Sequence, residues 1–221
     1  VSGHSGNHDH DHDDGHDEDS HGYPHAPVAR DEEVHSYYQL LGLALKELLI
    51  EKNILSATEI REAIEARDTI TPALGAKVVA RAWTDQAYRE RLLADGSLAV
   101  KELDIETGAL HLSVVENTPD VHNVIVCTLC SCYPRNVLGL PPSWYKSREY
   151  RARIVREPRT VLAEFGTTFA TDTEIRVHDS TADLRYLVLP MRPAGTEGWS
   201  ESDLAALVTR DCMIGVTTVK I

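Results

Sequence analysis

Val126-Cys127-Thr128-Leu129-Cys130-Ser131-Cys132 gathers three of the chain's four cysteines into six residues. A secreted disulfide framework spreads its cysteines to close loops, whereas crowded thiols suit metal binding or redox chemistry. Three arrangements are open. Cys127 and Cys130 are half of a structural zinc site, which needs a second pair or histidines. No second Cys-x-x-Cys exists, and Cys212 and His122 are isolated candidates. The same pair could serve thioredoxin-like exchange, which leaves Cys132 without a role. The third arrangement uses every donor. Cys130 and Cys132 flank one residue, so the main-chain nitrogens of Ser131 and Cys132 lie between their sulfurs. An ion taking these four donors closes small chelate rings in one plane, Cys127 adds an axial thiolate, and a sixth position stays open. Only a strongly Lewis-acidic, usually trivalent ion with a square-planar or octahedral preference repays the deprotonation of two peptide nitrogens, and tetrahedral zinc gains nothing from the plane. The spacing permits such a site without requiring it.

Outward from this segment, patterning predicts α+β. His111–Val115 and Asn123–Cys127 read as short strands rich in Val, Ile and Leu. Pro141–Phe165 reads as helix punctuated by Pro142 and Pro158. Glu174–Val177 and Leu184–Leu189 read as strands joined through Asp179-Ser180-Thr181. Ser200 caps a helix to about Thr209, and Met213–Val219 reads as a final strand. Upstream, Val34, Tyr38, Leu41, Leu45, Leu48 and Leu49 fall at helical spacing between Asp31 and about Asn53. Ser56-Ala-Thr-Glu59 is a capping-box signature opening a helix to about Arg67. Pro72 permits another from about Ala73 to Ala82, and one more follows Asp85. The expected organisation is a tail over 1–30, a helical arm and helices over 31–107, and a metal-binding domain over 108–221. The apolar stripes of the arm must bury against a bundle of its own or a partner subunit.

The net charge of −13 is uneven: residues 1–22 hold seven acids and no Lys or Arg, and the remainder carries −6. No basic stripe is available to neutralise phosphates, so nucleic acid is not expected as a partner. No apolar run reaches bilayer length, and the N-terminus lacks the apolar stretch of a secretory signal, so a cytoplasmic protein without membrane contact is expected. His4, His8, His10, His12, His16 and His21, mixed with carboxylates, could hold divalent metal loosely or simply belong to a solubilising tail. His111, His122 and His178 are scattered, and no Ser-His-Asp grouping competes with the cysteines.

Val126–Cys132 followed by Tyr133-Pro134 resembles the metal claw of nitrile hydratase α subunits. The likeness continues through Leu138-Gly-Leu-Pro-Pro-Ser-Trp144-Tyr145-Lys146 and Tyr150–Arg159. It includes Arg192-Pro-Ala-Gly-Thr-Glu-Gly-Trp199 and Thr209–Gly215. Upstream, Gly75–Trp83 and Val115-Glu-Asn-Thr118 fit as well, so that about residues 35–217 resemble the family. The resemblance implies a layered α-β-β-α domain behind a helical arm. It implies metal ligation by the sulfurs of Cys127, Cys130 and Cys132 and by the backbone nitrogens of Ser131 and Cys132. Cys130 would be a sulfinic acid and Cys132 a sulfenic acid, both rungs of the thiol oxidation ladder. In this family the oxygenated sulfurs are held by arginines of a β subunit, so an αβ or (αβ)2 assembly is implied, with an activator or metallochaperone as a further partner. Cys-Thr-Leu-Cys goes with cobalt(III) in the family, and Cys-Ser-Leu-Cys with iron(III). The implied reaction is hydration of a small nitrile to its amide, with Cys130, Ser131 and Cys132 as the catalytic set.

Arg135 departs from the pattern. The family usually places Trp after Cys-Tyr-Pro, where it lines the substrate pocket, whereas the related thiocyanate hydrolase γ subunit has Cys-Tyr-Pro-Arg. An arginine there suits an anionic or polar substrate better than a bare alkyl nitrile, or it pairs with a carboxylate at a subunit interface. Thiocyanate hydrolase is therefore the second reading. A non-catalytic zinc scaffold is the third, and would bring Cys212 to the cluster. Otherwise Cys212 reads as a buried structural thiol at the start of a strand.

Overall fold

The computed structural model describes residues 36–130 and 132–221, in two compact units that divide between Ser56 and Ala57. The expectations for the tail and for Ser131 lie outside the described residues.

The first unit contains α1 (Tyr37–Glu51). Ser36 starts it as a capping box: its Oγ accepts the Gln39 N–H at 3.3 Å, and Gln39 Oε1 accepts the Ser36 N–H at 2.5 Å. Two otherwise orphaned donors are thereby satisfied. Most of its large apolar side chains stay exposed, from 42% at Leu43 to 80% at Tyr38, so among the described residues of its own unit this helix finds little to bury against.

The second unit opens with α2 (Ala57–Asp68), α3 (Pro72–Thr84), α4 (Gln86–Ala94) and α5 (Gly96–Lys101). Pro72 fits the first turn of α3, where a missing N–H costs nothing. Asp85 and Asp95 cap α4 and α5 by accepting the N–H groups of Tyr88 and Leu98. The first strands are β1 (His111–Glu116) and β2 (Val121–Val126). The stretch expected as one punctuated helix is divided into α7 (Ser143–Lys146), α8 (Arg148–Arg153) and α9 (Pro158–Glu164), preceded by α6 (Arg135–Leu138). Ser147 ends α7 in extended backbone and caps α8, and Pro158 starts α9, so each break has a local cause. After them come β3 (Glu174–Asp179), β4 (Leu184–Leu189) and α10 (Glu201–Leu207), whose cap is Ser200 as expected.

The expected strand Met213–Val219 does not form. Arg210–Ile214 is instead a short helix, α11, capped by Thr209 and stopped by Gly215 in the left-handed region at φ 90°. A Cβ at Gly215 would stand 2.1 Å from the Asn123 carbonyl oxygen, so only glycine allows this turn to lie against β2. The run Cys212–Val216 is apolar because every residue in it is buried, and a buried one-turn helix and a buried strand share that pattern.

Consecutive strands do not pair with each other. β1 lies parallel to β4, with His111 opposite Leu184, and β2 lies parallel to β3, with Val126 opposite Asp179. Parallel pairing requires long crossovers. The one between β2 and β3 leaves β2 at Cys127 and carries the cysteine segment and α6 to α9 before returning. Helices α4 and α5 pack on β1, α9 packs on β3, and α11 lies against β2 and β4, giving an α+β arrangement of two small sheets between helices. The core joins Val78, Val79, Leu92, Val124, Ile125, Leu162, Leu187 and Met213. No helix among the described residues is long and apolar enough to cross a membrane.

Candidate metal centre

The centre is built at the carboxyl end of β2. Val124, Ile125 and Val126 are fully buried, and Cys127 continues them at 1% exposure, so the first thiol rises from the rigid core. Thr128, Leu129 and Cys130 then reach the surface, with Leu129 89% exposed. Cys132 is half-buried. The segment therefore rises from the core and folds back, bringing the sulfurs together. Cys127 Sγ and Cys130 Sγ are 3.4 Å apart, Cys130 Sγ and Cys132 Sγ 3.1 Å, and all three sulfurs lie within 4.8 Å of one another. Among the described residues this is the one group of three or more candidate ligand residues.

These separations can be set beside two coordination geometries. With metal–sulfur bonds of about 2.3 Å, ligands at right angles sit roughly 3.3 Å apart and tetrahedral ligands roughly 3.8 Å apart. The two close pairs match the right-angled case. Burial foremost, then hydrogen bonds with Cys130 and Cys127, push the Cys132 thiol up to about 12, so this thiol resists becoming a thiolate by itself. A bound cation inverts that preference and releases the protons. The three thiols thus fit a metal that prefers right-angled ligands and compensates concentrated negative charge.

Several residues that sequence reasoning passed over hold the segment in shape. The β2–β3 register places Asp179 beside the residue after Cys127. Its carboxylate accepts the Thr128 N–H at 2.9 Å and the Thr128 hydroxyl at 2.5 Å. The Ser180 N–H extends this ladder to the Val126 carbonyl at 2.7 Å. Arg151 of α8 reaches the Thr128 carbonyl at 3.4 Å. Behind the cluster, the Tyr145 hydroxyl donates to the Cys132 carbonyl at 2.9 Å, and the Tyr150 hydroxyl to the Ile125 carbonyl at 2.7 Å. Burial raises both phenols, so they remain donors. Edge-on ring contacts of Tyr145 with Tyr133 and of Trp144 with Tyr150 and Phe165 fix these hydroxyls. No one-dimensional signal ties Asp179 to Thr128, because strand register creates the pair. The tyrosines carried a weak signal at most, since a buried hydroxyl must find an acceptor but their short helices are polar and charged.

Other predicted positions fall elsewhere. Arg135 opens α6 with an exposed side chain, and among the described residues it has no carboxylate partner. Cys212 is fully buried in α11, not on a strand, and its thiol donates to the Thr209 carbonyl at 2.9 Å. It is not part of the thiol cluster, which removes the fourth cysteine that a zinc scaffold would have used. His122 is likewise outside the cluster, bonded to Asn117 and Gly215.

A claw of three thiols at the end of a buried parallel strand, open to solvent on the Leu129–Cys130 side, defines an α+β protein with a candidate metal site at the surface of its own chain. The chain belongs to the nitrile hydratase α-chain family: the model of nitrile hydratase, alpha chain, matches residues 36–217. It is 56% identical over 180 residues to a nitrile hydratase subunit alpha of Rhodococcus sp, covering 80% of this chain and 90% of that one. It is 52% identical over 195 residues to a cobalt-containing nitrile hydratase subunit alpha of Pseudonocardia thermophila, covering 86% and 95%. A solved structure of recombinant thiocyanate hydrolase comprising partially modified cobalt centers superposes with a TM-score of 0.78 at 43% identity, covering 84% of this chain and 91% of that one.

Proposed function

We propose that this chain is the metal-bearing subunit of a nitrile hydratase, converting a nitrile and water to the amide. The observation that carries the reading is the convergence of Cys127, Cys130 and Cys132 at separations that suit right-angled ligands. The ligand set is those three sulfurs with the backbone nitrogens of Ser131 and Cys132, and the ion is cobalt(III). Such an ion supplies Lewis acidity toward the nitrile nitrogen or a water. This chain's residues do the rest. Cys130 as a sulfinate and Cys132 as a sulfenate surround the reacting carbon with hard oxygen acceptors. Asp179 and Tyr145 hold the segment's backbone so that these oxygens stay in place.

The centre is completed by a β-type subunit. Leu129 and Cys130 face outward with no covering element of this unit, and α1 presents an uncovered apolar surface of its own. A partner that buries both also brings the arginines that oxygenated sulfurs require.

Arg135 favours a second reading, a thiocyanate hydrolase γ-type subunit. An exposed guanidinium three residues past the claw, with no carboxylate partner among the described residues, suits an anionic substrate. Aliphatic and aromatic nitriles assayed beside thiocyanate separate the two. Nitrile turnover is expected, and turnover of thiocyanate alone overturns the first reading. Intact mass of the purified holo-complex is expected to exceed the sequence mass by about three oxygen atoms, and active enzyme with unmodified cysteines would refute the claw.

A further inference from the structure

Five residues before Cys127, β2 carries a histidine that the metal centre does not use. His122 is 3% exposed, and its ring lies 4.1 Å from that of Phe169. Its protonation follows from groups whose roles are fixed. The Asn123 backbone N–H can only donate, and it meets Asn117 Oδ1 at 2.7 Å; Asn123 Nδ2 meets the same oxygen at 3.0 Å. The Asn117 amide is thereby oriented, and its nitrogen faces His122 Nδ1 at 3.1 Å. Nδ1 must therefore accept. The Gly215 carbonyl can only accept, so His122 Nε2, at 2.7 Å, carries the proton.

This ring is neutral, in one tautomer, with both nitrogens committed. A second proton on Nδ1 would point at an amide N–H instead of an acceptor. Asn117 cannot turn to receive it without stripping two bonds from Asn123. Among the described residues no nearby charge relieves the conflict. On β3, Glu174 and Arg176 pair with each other at 2.8 Å, and His178 Nε2 is committed to Asn123 Oδ1 at 2.8 Å. Glu116, at the end of β1, pairs with Arg89. Arg192, in the loop after β4, is turned to Thr196 and the Trp83 carbonyl. At the C-terminal side, Asp211 lies 3.6 Å from Arg210, and Lys220 is exposed.

We propose that His122 is an acid-sensitive latch: neutral, it joins the Asn117 amide ahead of β2 to the Gly215 turn, and a proton on Nδ1 keeps the bond to Gly215 but breaks the one to Asn117, letting the turn before β2 go. Burial lowers the affinity of the folded ring for a proton below the ordinary imidazole value. The opened form then binds the proton more readily than the closed form. The latch is intact above about pH 6.5, weakens as pH falls through that value, and is lost below the folded pKa. At about pH 5.5 the opened population should exceed its neutral level, by up to about tenfold.

Hydrogen exchange of the assembled enzyme, read by mass spectrometry at about pH 7.5 and about pH 5.5 and corrected for intrinsic chemistry, tests this. Residues 117–123 are expected to exchange up to about tenfold faster at the lower pH while the core helices and residues 210–216 stay protected. His122→Gln keeps a donor for Gly215 and an acceptor for Asn117 but gains no proton, so it should abolish the rise; His178→Gln should leave it. If His122→Gln does not fold, nitrogen-15 spectra of the wild type decide: the Nε2–H tautomer should persist below about pH 6 until the segment opens. A flat exchange profile in the wild type, the same rise in His122→Gln, or ordinary titration of His122 with the segment still protected would each overturn the proposal.

Discussion

Removing the Asp179 carboxylate should loosen the metal without unfolding the protein. Asp179→Ala takes away both bonds to Thr128, one from the backbone N–H and one from the hydroxyl. Charge-assisted hydrogen bonds contribute about 1.5–3 kcal/mol each in buried settings, but both partners here are exposed, so about 1 kcal/mol each is the appropriate figure. The pair then holds the first turn of the claw with about 2 kcal/mol, which is roughly a thirtyfold change in an equilibrium constant. Because Asp179 ends β3 and packs into no core, its loss should appear as weaker metal retention and incomplete oxygenation at Cys130 and Cys132, with little change in melting temperature. Competition against a graded chelator gives the metal affinity, and intact mass gives the oxygen count. Thr128→Val keeps the backbone bond and removes the hydroxyl, so it should cost about half as much in free energy, near fivefold. In a double-mutant cycle the two changes should couple by about 1 kcal/mol. Unchanged affinity and full oxygenation in Asp179→Ala would refute the idea that strand register shapes the claw.

Other perturbations follow from the same geometry. Gly215→Ala puts a Cβ 2.1 Å from the Asn123 oxygen at a φ of 90°; clash and left-handed strain together should cost more than about 2 kcal/mol, read by denaturant unfolding. Tyr145→Phe leaves the Cys132 carbonyl without its donor, and should cost about 1 kcal/mol of stability and accelerate metal loss to a chelator. Arg135→Trp should raise kcat/KM for apolar nitriles relative to thiocyanate if this side chain faces substrate, and leave the ratio unchanged if it faces only a subunit interface. Leu129→Asp should leave the secondary structure of this chain intact by circular dichroism yet weaken assembly with the partner in sedimentation, because an 89%-exposed leucine contributes nothing to its own fold.

Local chemistry wrote much of this protein into its sequence. Asp85 and Ser200 each begin a helix, as polar residues ahead of periodic apolar runs, because a cap acts over three residues and needs no distant partner. The three candidate ligand cysteines were legible for the same reason: chelation by neighbouring donors is a short-range property. Met213–Val219 misled because burial alone makes a run apolar, and only the Thr209 cap and the left-handed Gly215 separate a buried turn of helix from a strand. What lies far apart in the chain was decided by tertiary structure. The parallel register of β2 with β3 brings Asp179 to Thr128 across fifty-one positions, and the Gly215 turn reaches His122 across ninety-three. Packing of α7 and α8 aims two tyrosine hydroxyls at the carbonyls of Ile125 and Cys132. Sequence by itself named the atoms that can hold the metal. The fold set their separation and the support behind them, because both depend on which strands lie side by side, and that is settled by burying a shared core.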